Sequence, residues 1–418
     1  MLIFELFTIL LFGGISGVAA MQRQGALNDA GKLQHIMALS GLNVKDAKRT
    51  YTTRLVKKKR YAWGWEYKFS IPDGRSFKDY LNKFDVLQDG INNRRRILTW
   101  HDLKQFNLKK LLTHKLGEQK EIELDFDGLL IIRVYDKPLP KLIEFVPGEQ
   151  WKVPIGMKRG GNAFIFHDFE KIPHLILGGA TTYGKSNFIN HTLVNLIQEN
   201  SENLKLHLVD LKGGVELCDY ENIRQTVSIA YEPEQALTTL QNAYESLEQV
   251  RTYVRSLGMK NVQQAGIQER HFVVIDEVGE LNPNEAITTE EKKLKQQCQH
   301  YMSKIARLGA SFGFRLIVAT QYPVGDVVNR QVKQNADAKL VFRVQSETAS
   351  RVVLDSSGAE KLPMIKGRAI YQTADMREVV QTPLIRSDKI QEVLSEQRSE
   401  PTETIREGRE NSITFEGL

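Results

Sequence analysis

Cysteine is scarce in this sequence: 418 residues contain two, Cys218 and Cys298, which lie far apart. This excludes a disulfide framework and favours a reduced, intracellular setting. A strong excess of one charge is also missing, because 57 basic side chains oppose 51 acidic ones and leave a formal net charge of +6. So small an excess permits nucleic acid or anionic lipid as a partner and requires neither. The length exceeds that of one ordinary core and predicts two or three domains.

The N-terminal segment has no basic residue before its apolar run. Residues 2–20 read LIFELFTILLFGGISGVAA, in which Glu5 is the one charged residue. About twenty helical residues, at roughly 1.5 Å each, span the ~30 Å hydrocarbon core of a bilayer. The missing basic region disfavours a cleaved signal peptide, and the basic residues that follow predict a cytoplasmic location for the rest. We therefore expect a single-pass anchor to the cell membrane over residues 1–22. A buried core helix is the alternative, since Glu5 and the pair Gly13-Gly14 weaken a span.

A basic stretch follows between residues 45 and 60, where Asp46 is the one acid. Its cations are Lys45, Lys48, Arg49, Arg54, Lys57, Lys58, Lys59 and Arg60. They form either a solvated surface or a contact with anionic headgroups or nucleic acid. The aromatic residues that come next, Tyr61, Trp63 and Trp65, suit base stacking, a core or an interface equally well.

Residues 23–142 predict a small α+β domain next to the membrane. Strand-like patterns cover 67–71 and 121–134, and helical patterns cover 78–89 and 100–112. Prolines at 138, 140 and 147 mark a linker to the next domain. The small domain carries no recognisable chemical motif.

The clearest chemical motif spans residues 178–186, between a predicted strand at 174–177 and a predicted helix at 187–198. It is a P-loop, whose glycines let backbone N–H groups surround phosphates at a helix N-terminus. Lys185 would reach the β- and γ-phosphates of ATP, and Ser186 would hold Mg²⁺. The residues expected to bind the nucleotide are Gly179, Ala180, Thr181, Thr182, Tyr183, Gly184, Lys185 and Ser186.

A second motif follows an apolar strand at residues 271–275. Asp276 stands at the strand's carboxyl end and would bind Mg²⁺, through water, and Glu277 would act as the general base toward the attacking water. The alternative is a buried strand that ends in a solvated acidic turn. The P-loop upstream favours the catalytic interpretation.

Two further apolar strands, at 204–209 and 316–319, each end in polar residues. Gln321 follows the second of these strands beside Asp276, where it is placed to sense the γ-phosphate. Strands of this kind, separated by helical stretches such as 234–254 and 290–306, predict an α/β fold with a doubly wound, mostly parallel sheet. Ligands of such sheets bind at the carboxyl ends of the strands.

From about residue 173 to 369 the sequence resembles the FtsK/SpoIIIE family of DNA-pumping ATPases. The resemblance rests on five ordered blocks: HLILGGAT entering the P-loop, VDLKGGVEL at 209–217, VIDE at 274–277, LIVATQYP at 316–323, and FRV, SRVVLD and GAEKL between 342 and 362. It implies a RecA-like motor over residues 143–385 that assembles as a ring, usually a hexamer, around DNA. It also implies that ATP lies between subunits and that an arginine of one subunit completes the site of the next.

The sequence departs from the family pattern at that arginine, because the matching position is Ala310. Arg307 lies one helical turn earlier on the same face and is the residue we predict to act in its place. Arg343 and Arg351 are the other candidates. Channel contacts with DNA are predicted at Arg330 and Lys333, although ordinary exposed surface charge explains these two residues as well.

The layout also differs from that of the large FtsK proteins. One span replaces several, and residues 386–418 form a polar tail, typical of disorder and too short for a DNA-reading winged helix. A short anchor, small domain and motor are similar to coupling proteins of conjugative elements in Gram-positive bacteria. The resemblance thus implies an ATP-driven DNA translocase for conjugation, with a relaxase and a type IV secretion channel as partners. A motor for segregation or replication and a weakly hydrolysing DNA-tethering scaffold are the alternatives.

Overall fold

A computed structural model describes residues 29–46, 49–93, 119–161, 163–321 and 327–398. The described chain forms two compact units. The N-terminal unit extends to Leu139 and includes Arg159–Ala163, and the C-terminal unit consists of Pro140–Lys158 and the residues from Phe164 onward. The predicted membrane anchor, residues 1–22, lies outside the described residues. Within the described ranges, no helix is both long enough and apolar enough to cross a bilayer.

The N-terminal unit combines helices with a four-stranded antiparallel sheet of order β3-β4-β6-β5 and a two-stranded ribbon, β1-β2. Its elements are α1 (Asp29–Leu39), β1 (Val44–Asp46), β2 (Arg49–Tyr51), β3 (Arg54–Tyr61), β4 (Gly64–Ser70), α2 (Phe77–Leu81), α3 (Phe84–Asn92), β5 (Glu121–Asp127) and β6 (Leu129–Tyr135). Alternate residues of β4 and β6, such as Phe69 and Ile132, form one core with Leu33 of α1 and Leu87 of α3. The sheet therefore buries one face against the helices.

Two predicted elements of this unit differ in the structure. The helix predicted at 78–89 is two helices, α2 and α3. Between them the N–H of Lys83 donates to the carbonyl of Tyr80, three residues earlier, at 3.0 Å, where an α-helix would use the carbonyl four residues earlier. The strand predicted at 121–134 is a hairpin that turns at Gly128, whose φ of +67° suits glycine. The helix predicted at 100–112 lies outside the described residues.

The C-terminal unit is built on a ten-stranded mixed sheet of order β11-β10-β12-β13-β9-β14-β15-β16-β7-β8. Its strands are β7 (Lys152–Lys158), β8 (Phe164–Asp168), β9 (His174–Gly178), β10 (Leu204–Asp210), β11 (Thr226–Ala230), β12 (Arg270–Asp276), β13 (Phe314–Thr320), β14 (Ala338–Phe342), β15 (Arg368–Gln372) and β16 (Arg377–Gln381). Its helices are α4 (Lys185–Asn200), α5 (Pro233–Ser256), α6 (Thr289–Phe312), α7 (Arg330–Asn335), α8 (Glu347–Leu354) and α9 (Ser387–Ser395).

The six strands from β11 to β14 are parallel, which confirms the strands predicted at 174–177, 204–209, 271–275 and 316–319. Successive residues of these strands enter different cores, as in β12, where Val273 packs with α5 and α6 and Phe272 packs with α4 and α9. Helices therefore cover both faces, and the carboxyl ends of the parallel strands meet along one edge of the sheet.

The other four strands, β15, β16, β7 and β8, are antiparallel. The predicted parallel arrangement is therefore confirmed for six of the ten strands. The antiparallel strands were not predicted, because the prediction rested on strands that alternate with helices. β7 and β8 come before the P-loop in sequence yet join the far end of the sheet through β16. Two segments next to this block, residues 140–143 before β7 and residues 381–385 at the end of β16, lie beside the P-loop.

The predicted tail begins with an ordered helix. α9 buries Val393 and Leu394, and these side chains join the core that contains α4. Its apolar residues, Ile390, Val393 and Leu394, follow the i, i+3, i+4 spacing of an amphipathic helix. The charged composition of the segment conceals that stripe, so the prediction of disorder from residue 386 was wrong for residues 387–395.

Candidate nucleotide-binding site

The turn between β9 and α4 contains the P-loop sequence of residues 178–186. Gly179 has a φ of +156°, and a Cβ at this position would lie 2.7 Å from the Cβ of Phe342. The N–H of Ala180 donates to the carbonyl of Arg343 at 3.0 Å, which ties the loop to the end of the neighbouring strand β14. The loop therefore leads the backbone into the N-terminus of α4, where N–H groups and the helix dipole favour phosphate.

Lys185, in the first turn of α4, forms an ion pair with Asp276 at the end of β12. The two side chains are 4% and 0% exposed. Within the described part of the chain, the second carboxylate oxygen of Asp276, Oδ2, is buried and has no hydrogen-bond partner. A carboxylate oxygen and the hydroxyl of Ser186 are oxygen donors of the kind that Mg²⁺ prefers. The predicted metal residues therefore fit a nucleotide-bound magnesium ion.

Glu277 follows Asp276 in a left-handed conformation, with a φ of +66°. Its Oε1 accepts a hydrogen bond from Oγ1 of Thr320 at 3.0 Å, and its Oε2 accepts one from the backbone N–H of Gln321 at 3.0 Å. Burial raises the pKa of Glu277 above its ordinary value, although the charge of Lys185 and these hydrogen bonds oppose that effect. A raised pKa makes the carboxylate a stronger proton acceptor, as a general base requires.

Gln321 connects the P-loop to the predicted base. The hydroxyl of Thr181 donates to Oε1 of Gln321 at 2.8 Å, while the N–H of Gln321 donates to Glu277. The predicted sensor therefore contacts both the loop that would hold the phosphates and the carboxylate that would activate water.

Asp210, at the end of β10, organises the loop at 209–217. Its buried carboxylate accepts hydrogen bonds from the N–H groups of Glu216 and Leu217, at 2.8 and 2.9 Å. This clamp brings Lys212 and Glu216 to the wall of a cavity beside the P-loop. Asp210 therefore positions this loop beside the site by binding its backbone N–H groups.

The cavity next to the P-loop has a volume of about 480 Å³, which lies in the range of small-ligand and cofactor sites. One wall consists of P-loop residues and Gln321. Further lining comes from three distant segments: Lys141 and Leu142, Lys366 and Gly367, and Gln381, Thr382, Pro383 and Leu384. With phosphates on the P-loop, a nucleotide base and sugar would lie against these segments.

Backbone hydrogen bonds hold these segments beside the P-loop. The N–H of Gly367 donates to the carbonyl of Tyr183 at 2.8 Å, and the N–H of Thr382 donates to the carbonyl of Gly367 at 2.8 Å. Leu142, which is 55% exposed, offers the cavity an apolar side chain. Sequence reasoning missed these residues, because they belong to three separate segments without a motif. The prolines at 140 and 383 were the only local signal, and they indicate turns alone.

The candidate trans-acting arginines do not line this cavity, although the carbonyl of Arg343 accepts a hydrogen bond from the N–H of Ala180 in the P-loop. Arg343 donates to the carbonyl of Leu362, and Arg351 pairs with Glu347 at 2.7 Å. Arg307 is exposed on α6 and has no ion pair within the described residues. Because the predicted role acts on a neighbouring subunit, Arg307 stays a prediction. Arg330 and Lys333 lie on α7, and their predicted contact with DNA is likewise untested.

Residues 147–281 match the FtsK/SpoIIIE family. Over these residues the chain is similar to that family. DNA translocase FtsK of Corynebacterium glutamicum is 30% identical over 254 residues, which cover 55% of this chain and 26% of that protein. DNA translocase FtsK of Campylobacter jejuni is 31% identical over 221 residues, or 50% of this chain and 22% of that protein. The predicted family resemblance is confirmed, and the family is one of ATPases; the chain spans about a quarter of the length of these relatives.

Solved structures share the fold at lower identity. The pCW3 conjugation coupling protein TcpA, in a monomer form with ATPgS, has a TM-score of 0.59 at 21% identity, covering 88% of this chain and 99% of that one. The cytoplasmic domain of the type VII secretion ATPase EccC of Thermomonospora curvata has a TM-score of 0.51 at 21% identity, covering 63% and 33%. These likenesses confirm the α/β fold of a P-loop NTPase, here with a mixed sheet.

Proposed function

We propose that this chain is an ATP-driven DNA translocase that acts as a coupling protein in conjugative DNA transfer. One observation carries the translocase part: Lys185, Asp276, Glu277 and Gln321 converge at the carboxyl edge of the sheet, within or directly beside the region that matches the FtsK/SpoIIIE family. The conjugative part is supported by the extent of the fold that this chain shares with the conjugation coupling protein TcpA.

The residues of the site suggest how ATP hydrolysis proceeds. Lys185 leaves Asp276 and contacts the phosphates, as its position at the N-terminus of α4 allows. Asp276 and Ser186 would hold Mg²⁺, and the bound ion would supply positive charge to the phosphates. Glu277 accepts a proton from the attacking water, and its raised pKa favours this step.

The contacts of Gln321 would couple ATP hydrolysis to movement of β13, the strand that precedes this residue. Its side chain bonds Thr181 of the P-loop, and its N–H bonds Glu277. A phosphate that displaces either contact also shifts the end of β13. We place the DNA-contacting residues after this strand, at Arg330 and Lys333, and we assign Arg307 to the site of the next subunit in a ring, with six subunits as the expected number.

DNA-dependent ATP hydrolysis by the full chain tests the translocase proposal. We expect single- or double-stranded DNA to raise the rate at least tenfold, and Glu277→Gln to abolish hydrolysis while ATP binding persists. Glu277→Gln is the suitable inactive variant because glutamine keeps the size and most hydrogen bonds of the glutamate. If the assembled protein hydrolyses ATP at the same rate with and without DNA, a DNA-tethering scaffold would be the better description.

The conjugative role has its own test in cells. We expect the Glu277→Gln allele to abolish transfer of the element that encodes the protein, while growth and plasmid inheritance continue at wild-type rates. Loss of inheritance with unchanged transfer would instead indicate a segregation motor.

We also propose that residues 1–22 anchor the protein in the cell membrane, with the motor on the cytoplasmic side. Their support is the nearly uncharged run at 2–20. The full chain should sediment with membranes after a carbonate wash, and a chain beginning at residue 23 should not. Equal behaviour of the two chains would refute the anchor.

A further inference from the structure

The N-terminal unit carries a row of cations that the proposed motor mechanism does not use. Strand β3 contains Arg54, Lys57, Lys58, Lys59 and Arg60, all exposed, and it forms one edge of the four-stranded sheet. Side chains alternate along a strand, so Lys57 and Lys59 lie on one face and Lys58 and Arg60 on the other. The row therefore lines the edge from both sides.

Two arginines share acids of the same sheet, and Glu66 stands opposite Lys59 in the register of β3 and β4. Arg133 of β6 lies 3.5 Å from Glu66, 3.4 Å from Glu123 and 3.0 Å from Asp125. Arg159 lies 2.9 Å from Glu121. Within the described residues, Lys57, Lys58 and Lys59 have no ion pair, whereas Arg60 pairs with Asp136 at 2.5 Å. The four strands carry seven basic and five acidic residues, and none of the acids lies on β3, so the β3 edge keeps a local excess of positive charge.

The arrangement costs stability in the absence of an anion. Lys57 stands directly opposite Lys68 in the antiparallel register, and like charges at such positions repel. One lysine is enough to protect an exposed edge strand from pairing with another chain. Three consecutive exposed lysines, none with an ion pair within the described residues, exceed that need, which points to an anionic ligand.

The aromatic rings at the end of β3 indicate which kind of anion the β3 edge would bind. Tyr61 stacks on Trp63 at 5.0 Å between ring centroids, and Trp63 packs on Tyr135 at 4.8 Å. The Tyr61 and Trp63 rings are half-buried and pack on one another, and the ammonium of Lys59 lies 4.7 Å from the centroid of the Tyr61 ring. The exposed cations, more than the rings, therefore form the contact surface, which favours phosphates. At about 3.3 Å per residue over eight residues, β3 extends along roughly 26 Å of a phosphate backbone.

We infer that the β3 edge is a second DNA-binding surface, independent of sequence, that contacts the phosphate backbone of duplex DNA outside the motor unit. The choice of DNA over an anionic membrane rests on the proposed function. Such a surface would hold DNA near the motor without reading its bases.

Salt dependence of binding provides the test. The full chain, without nucleotide, is titrated with a fluorescent duplex at several salt concentrations. For duplex DNA the slope of log K against log salt is about −0.9 per phosphate contact, so Lys57→Gln/Lys58→Gln/Lys59→Gln should make the slope less negative by roughly 2.7. Between 50 and 200 mM salt, the affinity of the variant should then fall roughly 40-fold less than that of the wild type.

The matched control is Lys78→Gln/Lys83→Gln/Lys137→Gln, which removes the same charge from other surfaces of the same unit. It should keep the wild-type slope, and both variants should keep the ATPase rate measured without DNA. Equal slopes for the two variants would overturn the inference.

A second arm uses vesicles of phosphatidylserine, with phosphatidylcholine as the neutral comparison. If the β3 variant loses binding to phosphatidylserine vesicles and keeps its DNA slope, the surface is a membrane contact and the inference fails. DNA binding that depends on these lysines, without DNA-stimulated hydrolysis, would refute the translocase proposal and leave the β3 surface intact.

Discussion

Replacement of Lys185 by alanine should lower the free energy of unfolding of the C-terminal unit, even without ATP. Lys185 and Asp276 form a buried pair, with 4% and 0% of their side chains exposed. Removing one partner of such a pair leaves a buried carboxylate with no cation and typically costs about 3–5 kcal/mol. In a unit of this size, 1 kcal/mol shifts the melting temperature by about 2–4 °C, so we expect a decrease on the order of 10 °C.

Differential scanning fluorimetry of the full chain, without nucleotide or Mg²⁺, measures this decrease. Ser186→Ala is the control, because it removes a proposed Mg²⁺ ligand next to Lys185 without leaving a charge unpaired. It should lose activity and keep the wild-type melting temperature.

Removal of both charges gives a further check on the same pair. Lys185→Met/Asp276→Asn should be more stable than the sum of the two single changes predicts, by roughly 2 kcal/mol or more, because neither charge remains buried alone. A Lys185→Ala protein that melts like the wild type would show that the pair does not form in the nucleotide-free protein.

Three further outcomes are expected. Leu142→Ala should raise the KM for ATP about five- to tenfold with little change in kcat, because a contact with the base stabilises ground and transition states alike; a lower kcat with constant KM would refute this place for the base. Burial alone would raise the pKa of Glu170, but Arg270 and Arg315 outweigh it and lower the pKa from 4.5 to about 2. The folded state therefore favours ionised Glu170, so Glu170→Gln should cost about 2 kcal/mol above pH 4.5, and urea titrations should show that difference shrinking as the pH falls toward 2. Burial raises the pKa of Cys298 to about 12, and Cys218 is exposed, so Ellman's reagent should titrate one thiol in the native protein and two in guanidinium.

The phosphate side of the site could be predicted from the sequence because each of its residues belongs to a short local pattern. A glycine-rich turn before Lys185 and an apolar strand before Asp276 specify both the element and the chemistry. The carboxyl ends of parallel strands meet at one edge, so the proximity of these two residues follows from the fold class. The hydrogen bond from Thr181 to Gln321 did not follow, because it depends on the side-chain geometry of two loops.

The base side of the site could not be predicted, for a topological reason. Leu142 and Pro383 are 241 positions apart in the sequence and line the same cavity, and their segments are joined by the hydrogen bond from the N–H of Leu384 to the carbonyl of Ile143 at 2.7 Å. A contact between irregular segments so distant leaves no periodic signal in either one. The helix at 387–395 escaped prediction for a different reason, since three apolar residues among charged ones resemble a polar tail by composition.

These unpredicted parts hold the predicted ones in place. Asn187, in the first turn of α4, donates its side-chain N–H to the carbonyl of Ile385 at 2.7 Å and accepts from the N–H of Ile385 at 3.3 Å. The residues after Ile385 form α9, whose Leu394 is fully buried in the core that includes α4. The helix that begins at Lys185 is therefore held at its N-terminus by the same segment that closes the cavity. The first turn of α4 thus carries both Lys185, which pairs with Asp276, and Asn187, which holds the C-terminal segment.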